Sequence, residues 1–110
     1  MSKKENDYQA GLIIRISEAL PGCFILKNDS SYLQGIPDLT ILYGDRWAIL
    51  EVKRARPRNY KDYEPNQEWY LEKFNAMSFA TTIFPENEEE VLHDLQLALR
   101  PRRAARVSQR

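Results

Sequence analysis

Three polar side chains near the middle of the chain, Asp38, Glu51 and Lys53, carry the chemistry that this sequence offers most clearly. They flank a predicted β-hairpin with a Gly44-Asp45 turn, in which glycine supplies the positive φ that a type II′ turn needs first. A two-residue turn makes Asp38 face Glu51, and paired residues lie about 4.5–5.5 Å apart at Cβ. Side chains alternate along a strand, so Glu51 and Lys53 share one face. The hairpin therefore gathers two carboxylates and one ammonium at one end.

Two directly opposed acids repel each other and destabilise a sheet. A divalent cation bound between them would remove that repulsion. Mg²⁺ prefers oxygen ligands and is commonly held by one or two carboxylates, waters and substrate phosphates. Lys53 would lie beside such a phosphate and its attacking water. Asp38, Glu51 and Lys53 are thus the set that metal-assisted phosphodiester hydrolysis requires. The alternative is a surface hairpin whose acids and lysine form ordinary solvated ion pairs.

Hydrophobic periodicity and turn residues predict seven elements that position this group, in the order α-β-β-β-α-β-α. The helices are expected at 5–20, at 66–78 and from Glu88, and the strands at 23–26, 39–43, 47–52 and 81–84. Residues 23–26 are interpreted as a central strand. Both faces of the hairpin are largely apolar, which favours an α/β arrangement with a sheet covered on both sides. Asn87 is predicted to cap the last helix, with Glu90 in the capping-box position.

The composition predicts one globular domain over residues 1–99 and a basic, disordered tail over residues 100–110 with five arginines. The formal net charge is zero, so any affinity for nucleic acid must come from uneven charge.

Cys23 is the single cysteine, which excludes an internal disulfide and favours a buried, inert thiol. No secretory signal or membrane-spanning run is evident, and a reducing cytoplasmic setting is expected. His93 falls off the apolar stripe of its helix, which counts against histidine-based nuclease chemistry.

The segment after Lys53 is rich in cations and aromatic rings, the residue types that contact phosphates and stack on bases. Ser30 and Ser31 precede Asp38 in a polar loop and are candidates for hydrogen bonds to a phosphate. A solvated loop is the alternative for both segments. The candidate DNA-binding residues are Ser30, Ser31, Arg54, Arg56, Arg58, Tyr60 and Lys61.

Pro37-Asp38 followed by Glu51-Val52-Lys53 resembles the signature of the PD-(D/E)XK nucleases. The fuller pattern is similar to the small VRR-NUC branch and to archaeal-type Holliday junction resolvases. It spans about the first hundred residues, and its matching features are Glu5, Gln9, Gly35-Ile36-Pro37-Asp38, Leu50-Glu51-Val52-Lys53 and Gln67.

The resemblance implies a restriction-endonuclease-like core and Mg²⁺ or Mn²⁺ bound by Asp38 and Glu51, with the Val52 carbonyl as a further oxygen ligand. It implies that Lys53 orients the attacking water and that Gln67 lies near that lysine and the substrate backbone. It also implies a 5′-phosphate and a 3′-hydroxyl product.

Glu5 lies on the inward face of the first helix, whereas Glu18 points nearly opposite. The resemblance implies that Glu5 is a third carboxylate at the metal. An acid in the first turn that interacts with the helix dipole is the alternative.

These observations predict a metal-dependent DNA endonuclease that selects branched DNA, acting as a homodimer like the resolvases. A general nuclease for flaps or splayed ends is one alternative. A DNA-binding or assembly protein on a nuclease-like scaffold, without turnover, is another.

Overall fold

The computed structural model describes residues 3–100, which contain three helices and four strands in the predicted order. Arg100 is the only residue of the predicted basic tail within that range, so the expected disorder of the tail lies outside the described residues. The helices are α1 (Lys3–Ala19), α2 (Gln67–Met77) and α3 (Glu88–Ala98), and the strands are β1 (Phe24–Lys27), β2 (Leu39–Tyr43), β3 (Arg46–Val52) and β4 (Phe79–Ile83).

The four strands form one mixed sheet in the order β1-β2-β3-β4. The first three strands are antiparallel, and β4 runs parallel to β3 because α2 carries the chain back across the sheet. Tyr43 pairs with Arg46, which confirms the two-residue turn. Gly44 has φ 62°, and Asn66 is the one non-glycine residue with positive φ between residues 3 and 100. Asp45 therefore has a negative φ, as a type II′ turn requires.

The main hydrophobic core lies on one face of the sheet, under α1 and α3. Leu12 and Ile16 of α1 and Leu95 of α3 are fully buried there against Leu50 and the other inward residues of the sheet. Alternation along β3 then turns Glu51 to the opposite face, where α2 packs. The acids of the hairpin thus lie on the face away from the main core.

The opposite face is covered over β3 and β4 but open over β1 and β2, so the prediction of a sheet covered on both sides is only partly correct. Trp47 of β3 meets Phe74 of α2 edge to face, with ring centroids 6.2 Å apart. Phe24 is 70% exposed and Leu26 is 49% exposed on β1. The interpretation of residues 23–26 as a central strand is wrong, because β1 is an edge strand that α2 does not reach.

Two local predictions also need correction. Cys23 is half-buried rather than buried, and partial burial raises the pKa of its thiol. Asn87 precedes α3 but does not cap it with its side chain. That side chain instead accepts a hydrogen bond from the Phe84 N–H and donates one to the Thr82 carbonyl, which closes the turn after β4. His93 is exposed, as predicted.

Within residues 3–100, no helix is both long enough and apolar enough to cross a bilayer.

Candidate active site

The hairpin brings Asp38 and Glu51 together at the end of the β2–β3 pair, as its register predicts. Leu39 pairs with Leu50, so the residues just beyond them are neighbours. The Asp38 N–H donates to Glu51 Oε1 at 3.3 Å, and Asp38 Oδ2 accepts from the Val52 N–H at 2.9 Å. Glu51 is only 2% exposed. Two carboxyl groups are therefore fixed side by side and largely out of water.

Both carboxyl groups hold protons more tightly than free carboxyl groups do. Burial raises the pKa of Glu51 to about 8, and the negative charge of Asp38 adds to the effect while Lys53 opposes it. Burial also raises the pKa of Asp38, against the hydrogen bond from Val52. Ionising both acids in the folded protein therefore costs electrostatic free energy, and a bound cation would lower that cost.

Lys53 follows directly after β3 and turns its ammonium toward the two acids. Its Nζ lies 3.3 Å from Glu51 Oε2, and its side chain is 16% exposed. The same Nζ lies 5.4 Å from the ring centroid of Tyr63. Lys53 is therefore partly buried, with its ammonium between the carboxyl group of Glu51 and the ring of Tyr63.

Asn28 fixes the backbone that carries Asp38. Its side-chain amide donates to the Pro37 carbonyl at 2.8 Å, and its Oδ1 accepts from the Thr40 hydroxyl at 3.0 Å. The Asn28 N–H also donates to the Asp38 carbonyl at 2.8 Å. One asparagine thus ties down the residues on both sides of the candidate ligand.

Gly35 allows the loop before Asp38 to touch the segment before α2. Its φ is 88°, and a Cβ there would lie 2.3 Å from the Pro65 carbonyl oxygen. A side chain at this position has no room. The glycine of the Gly35-Ile36-Pro37-Asp38 stretch therefore serves to bring the two walls of the site together.

A polar cavity of about 340 Å³ lies between these walls. Four of its lining residues are acids and one is a lysine, so the cavity has a net negative charge when all five side chains are ionised. The lining residues are Glu5, Asn28, Ser30, Ile36, Asp38, Glu51, Lys53, Glu64 and Gln67.

Glu5 and Gln67 both reach this cavity, as predicted for residues near the site. Glu5 lies in the first turn of α1, and its charge contributes to the raised pKa of Asp38 after the larger effect of burial. Gln67 is 3% exposed, and its Oε1 accepts from the Glu64 N–H at 3.0 Å. Glu18 is exposed, as predicted. A metal-ligand role for Glu5 and a substrate contact for Gln67 stay predictions.

Between residues 3 and 100, no three His, Cys, Asp or Glu side chains form a ready metal-binding cluster. The carboxylates of Asp38 and Glu51 are nevertheless the ligand type that Mg²⁺ prefers, and two protein carboxylates are a common set for it. The pKa values of both acids are raised, and the cavity holds four acids but only one lysine. Lys53 alone therefore does not balance the negative charge that the ionised acids would carry. The donor chemistry therefore fits a hard divalent cation.

The two serines differ in their placement. Ser30 lines the cavity. Ser31 donates its hydroxyl hydrogen to Asp29 Oδ1 at 2.6 Å, and its N–H donates to the same oxygen at 2.9 Å. The Ser31 hydroxyl has only one hydrogen to donate, so in this arrangement it has none for a phosphate.

A second cavity of about 400 Å³ adjoins the first, because Glu5 and Lys53 line both. Its basic lining comes from the segment after Lys53 and includes Arg54, Arg56 and Arg58. Three of the predicted phosphate contacts thus lie next to the acidic group, along a surface that continues from it.

The cations of this segment are not equally available. Arg56 lies over the Phe84 ring, 5.1 Å from its centroid. Arg58 forms an ion pair with Asp62 at 3.2 Å, across a short 3₁₀ turn at Tyr60–Asp62. Tyr60 is 69% exposed and Lys61 is exposed on that turn, outside the linings of both cavities. Their contact with DNA stays a prediction.

Sequence reasoning missed Asn28, Tyr63 and Thr82 as parts of the site. The Tyr63 hydroxyl lies 2.9 Å from Thr82 Oγ1, and the Tyr63 ring lies against Lys53. Thr82 pairs with Glu51 across the parallel β3–β4 ladder. That pairing depends on how α2 returns the chain to the sheet, and no local pattern specifies it.

Comparisons with family models, with curated proteins and with solved structures found no match to this chain. The resemblance to PD-(D/E)XK nucleases therefore rests on the residues themselves.

Proposed function

We propose that this protein is a Mg²⁺- or Mn²⁺-dependent DNA endonuclease of the PD-(D/E)XK kind, with a restriction-endonuclease-like core. The observation that carries the proposal is the pairing of half-buried Asp38 with buried Glu51, with Lys53 Nζ 3.3 Å from Glu51. A chain that needed only a stable hairpin would gain from an apolar residue at either acidic position, since burying carboxyl groups without full compensation costs free energy.

The carboxylates of Asp38 and Glu51 would hold the cation, and the Val52 carbonyl would offer a further oxygen. The cation would polarise the scissile phosphate and lower the pKa of a bound water. Lys53 would orient the attacking water and stabilise the negative charge that develops on the phosphate oxygens. Gln67 would contact the substrate backbone from the wall formed by α2. The partial burial of Lys53 strengthens its electrostatic effect because the local dielectric is lower than in water.

The surface beside the site supports nucleic acid as the substrate. Arg54 and Arg56 line the cavity that continues from Lys53, which gives a phosphate backbone a basic path away from the acidic centre. The acidic cavity itself repels phosphate, so a bound cation is required before a phosphodiester can enter it. Metal and substrate binding are therefore expected to be cooperative.

Branched DNA is the proposed substrate, and the proposed active form is a homodimer. A single small domain has little surface for reading a long base sequence, which favours recognition of DNA shape. Two copies related by a twofold axis would present two sites to the two opposed strands of a four-way junction.

A cleavage panel tests this proposal, with matched sequences presented as duplex, single strand, flap, splayed end and four-way junction in Mg²⁺ or Mn²⁺. Paired symmetric cuts in the junction support the resolvase-like activity. Cuts confined to flaps or splayed ends support the more general structure-selective nuclease. Tight DNA binding without any cut in either metal would leave the non-catalytic binding protein as the better account.

A further inference from the structure

The hydroxyl of Tyr63 is anchored to the sheet beside the candidate active site. Its hydroxyl lies 2.9 Å from Thr82 Oγ1, and Thr82 is itself only 9% exposed. Thr82 pairs with Glu51 across the β3–β4 ladder, so the anchor of the tyrosine belongs to the same part of the sheet as the acid. The ring is thereby fixed by the sheet, although Tyr63 lies in the loop between β3 and α2.

Lys53 makes two close contacts, with Glu51 at 3.3 Å and with the Tyr63 ring at 5.4 Å from Nζ to the centroid, and its charge also acts on Asp38 and Asp62. A divalent cation at Glu51 would compete for the negative charge that holds the ammonium. The attraction between a cation and an aromatic face comes from the ring quadrupole, which such a cation does not neutralise. Of the two contacts, the one with Tyr63 is therefore the one that survives metal binding.

We propose that Tyr63 is a positioning residue whose ring holds the Lys53 ammonium at the cleavage centre once a divalent cation has engaged Glu51. The inference rests on the proposed nuclease function and extends it to a residue outside the Asp38, Glu51 and Lys53 group. The hydroxyl of Tyr63 serves to fix the ring through Thr82. A tyrosine that merely packed the loop would not act through Lys53.

Two substitutions separate the ring from the hydroxyl. Tyr63→Leu removes the aromatic face, and its single-turnover cleavage rate at saturating DNA and Mg²⁺ should fall about tenfold, equivalent to about 1.4 kcal/mol. Tyr63→Phe keeps the ring and loses only the bond to Thr82, so its rate should fall by less than about threefold. Equal losses in the two variants would overturn the proposal, since the ring would then have no role of its own.

A double-mutant cycle tests whether Tyr63 acts through Lys53. In a Lys53→Ala background, Tyr63→Leu should change the remaining rate by less than about twofold, because no ammonium is left to position. An undiminished tenfold loss in that background would show that Tyr63 stabilises the loop or the fold instead.

A spectroscopic measurement tests the contact without cleavage and without any variant. The ε-methylene protons of Lys53 should resonate upfield in wild-type protein because of the Tyr63 ring current, and should stay there when Mg²⁺ is added. Loss of the upfield shift on adding Mg²⁺ would overturn the proposal. A persistent shift in protein that cleaves no DNA would support the contact and refute the nuclease function instead, so the two failures are distinguishable.

Discussion

The substitution Glu51→Gln should reduce an unusual pH dependence of stability in the metal-free protein. The pKa of Glu51 is raised from 4.5 to about 8 in the folded protein, chiefly by burial and then by the charge of Asp38. Between these values the folded state binds more protons than the unfolded state, so the free energy of unfolding falls as pH rises. Asp38 acts in the same direction, because its pKa is raised too.

The size of the effect follows from the two pKa values of Glu51, 4.5 and about 8. At about 1.36 kcal/mol per pH unit, the difference of roughly 3.5 units corresponds to at most about 5 kcal/mol. That is a large share of the stability of a small domain, which is typically about 5–15 kcal/mol. Glutamine keeps the shape of the side chain but cannot ionise, so Glu51→Gln should be the more stable protein at about pH 8.

Urea unfolding followed by circular dichroism, in chelator and in steps from about pH 5 to pH 8, measures this dependence. Glu18→Gln is the matched control, because Glu18 is exposed on α1 and its substitution should leave the wild-type curve unchanged. Added Mg²⁺ should restore stability to wild type at high pH and do little for Glu51→Gln. A wild-type stability that is flat or rises over this range would refute the electrostatic account of the pair.

Four further outcomes are expected. Lys53→Ala should lower the single-turnover cleavage rate about a hundredfold or more with little loss of DNA affinity, and a proportionate loss of both would recast Lys53 as a phosphate contact. Glu5→Gln should raise the Mg²⁺ concentration needed for activity while Glu18→Gln does not, and a normal titration for Glu5→Gln would leave Glu5 as a helix-dipole partner. Gly35→Ala should cost about 2–4 kcal/mol of stability in thermal melts because of strain and overpacking, and a normal melting temperature would contradict the close contact with Pro65. Neutralising Arg54 and Arg56 together should flatten the salt dependence of duplex affinity by about 0.9 in log–log slope per lost phosphate contact, and an unchanged slope would remove both from the interface.

The hairpin was predictable because its determinants are local. Gly44 sets the turn, the turn sets the pairing, and alternation then assigns Leu50 to the core and Glu51 to the opposite face. The same local pairing predicts that Asp38 lies beside Glu51, and it does not depend on the rest of the fold. Helical periodicity, which is also local, predicted that Glu5 faces inward, and Glu5 lines the cavity.

Features that depend on contacts between distant segments were not predictable in this way. An apolar run such as 23–26 reads alike at the centre and at the edge of a sheet, and only the path of α2 leaves Phe24 exposed. Asparagine is a residue type that often caps helices, but the Asn87 side chain instead forms hydrogen bonds with Phe84 and Thr82 in the turn after β4. Tyr63 lies in a loop without periodicity, so nothing near it in the sequence indicates its contact with Lys53.

The rate of Mg²⁺-dependent cleavage of a four-way junction, compared between wild type and Asp38→Asn, tests the central claim most directly. Asparagine preserves the size of the side chain and an oxygen that can accept from the Val52 N–H, but it removes the charge that a cation needs. Wild-type protein should cut the junction in Mg²⁺ and lose that activity in chelator, while Asp38→Asn should show no cleavage above background. Equal cleavage by the two proteins, or cleavage by wild type that persists in chelator, would contradict the account.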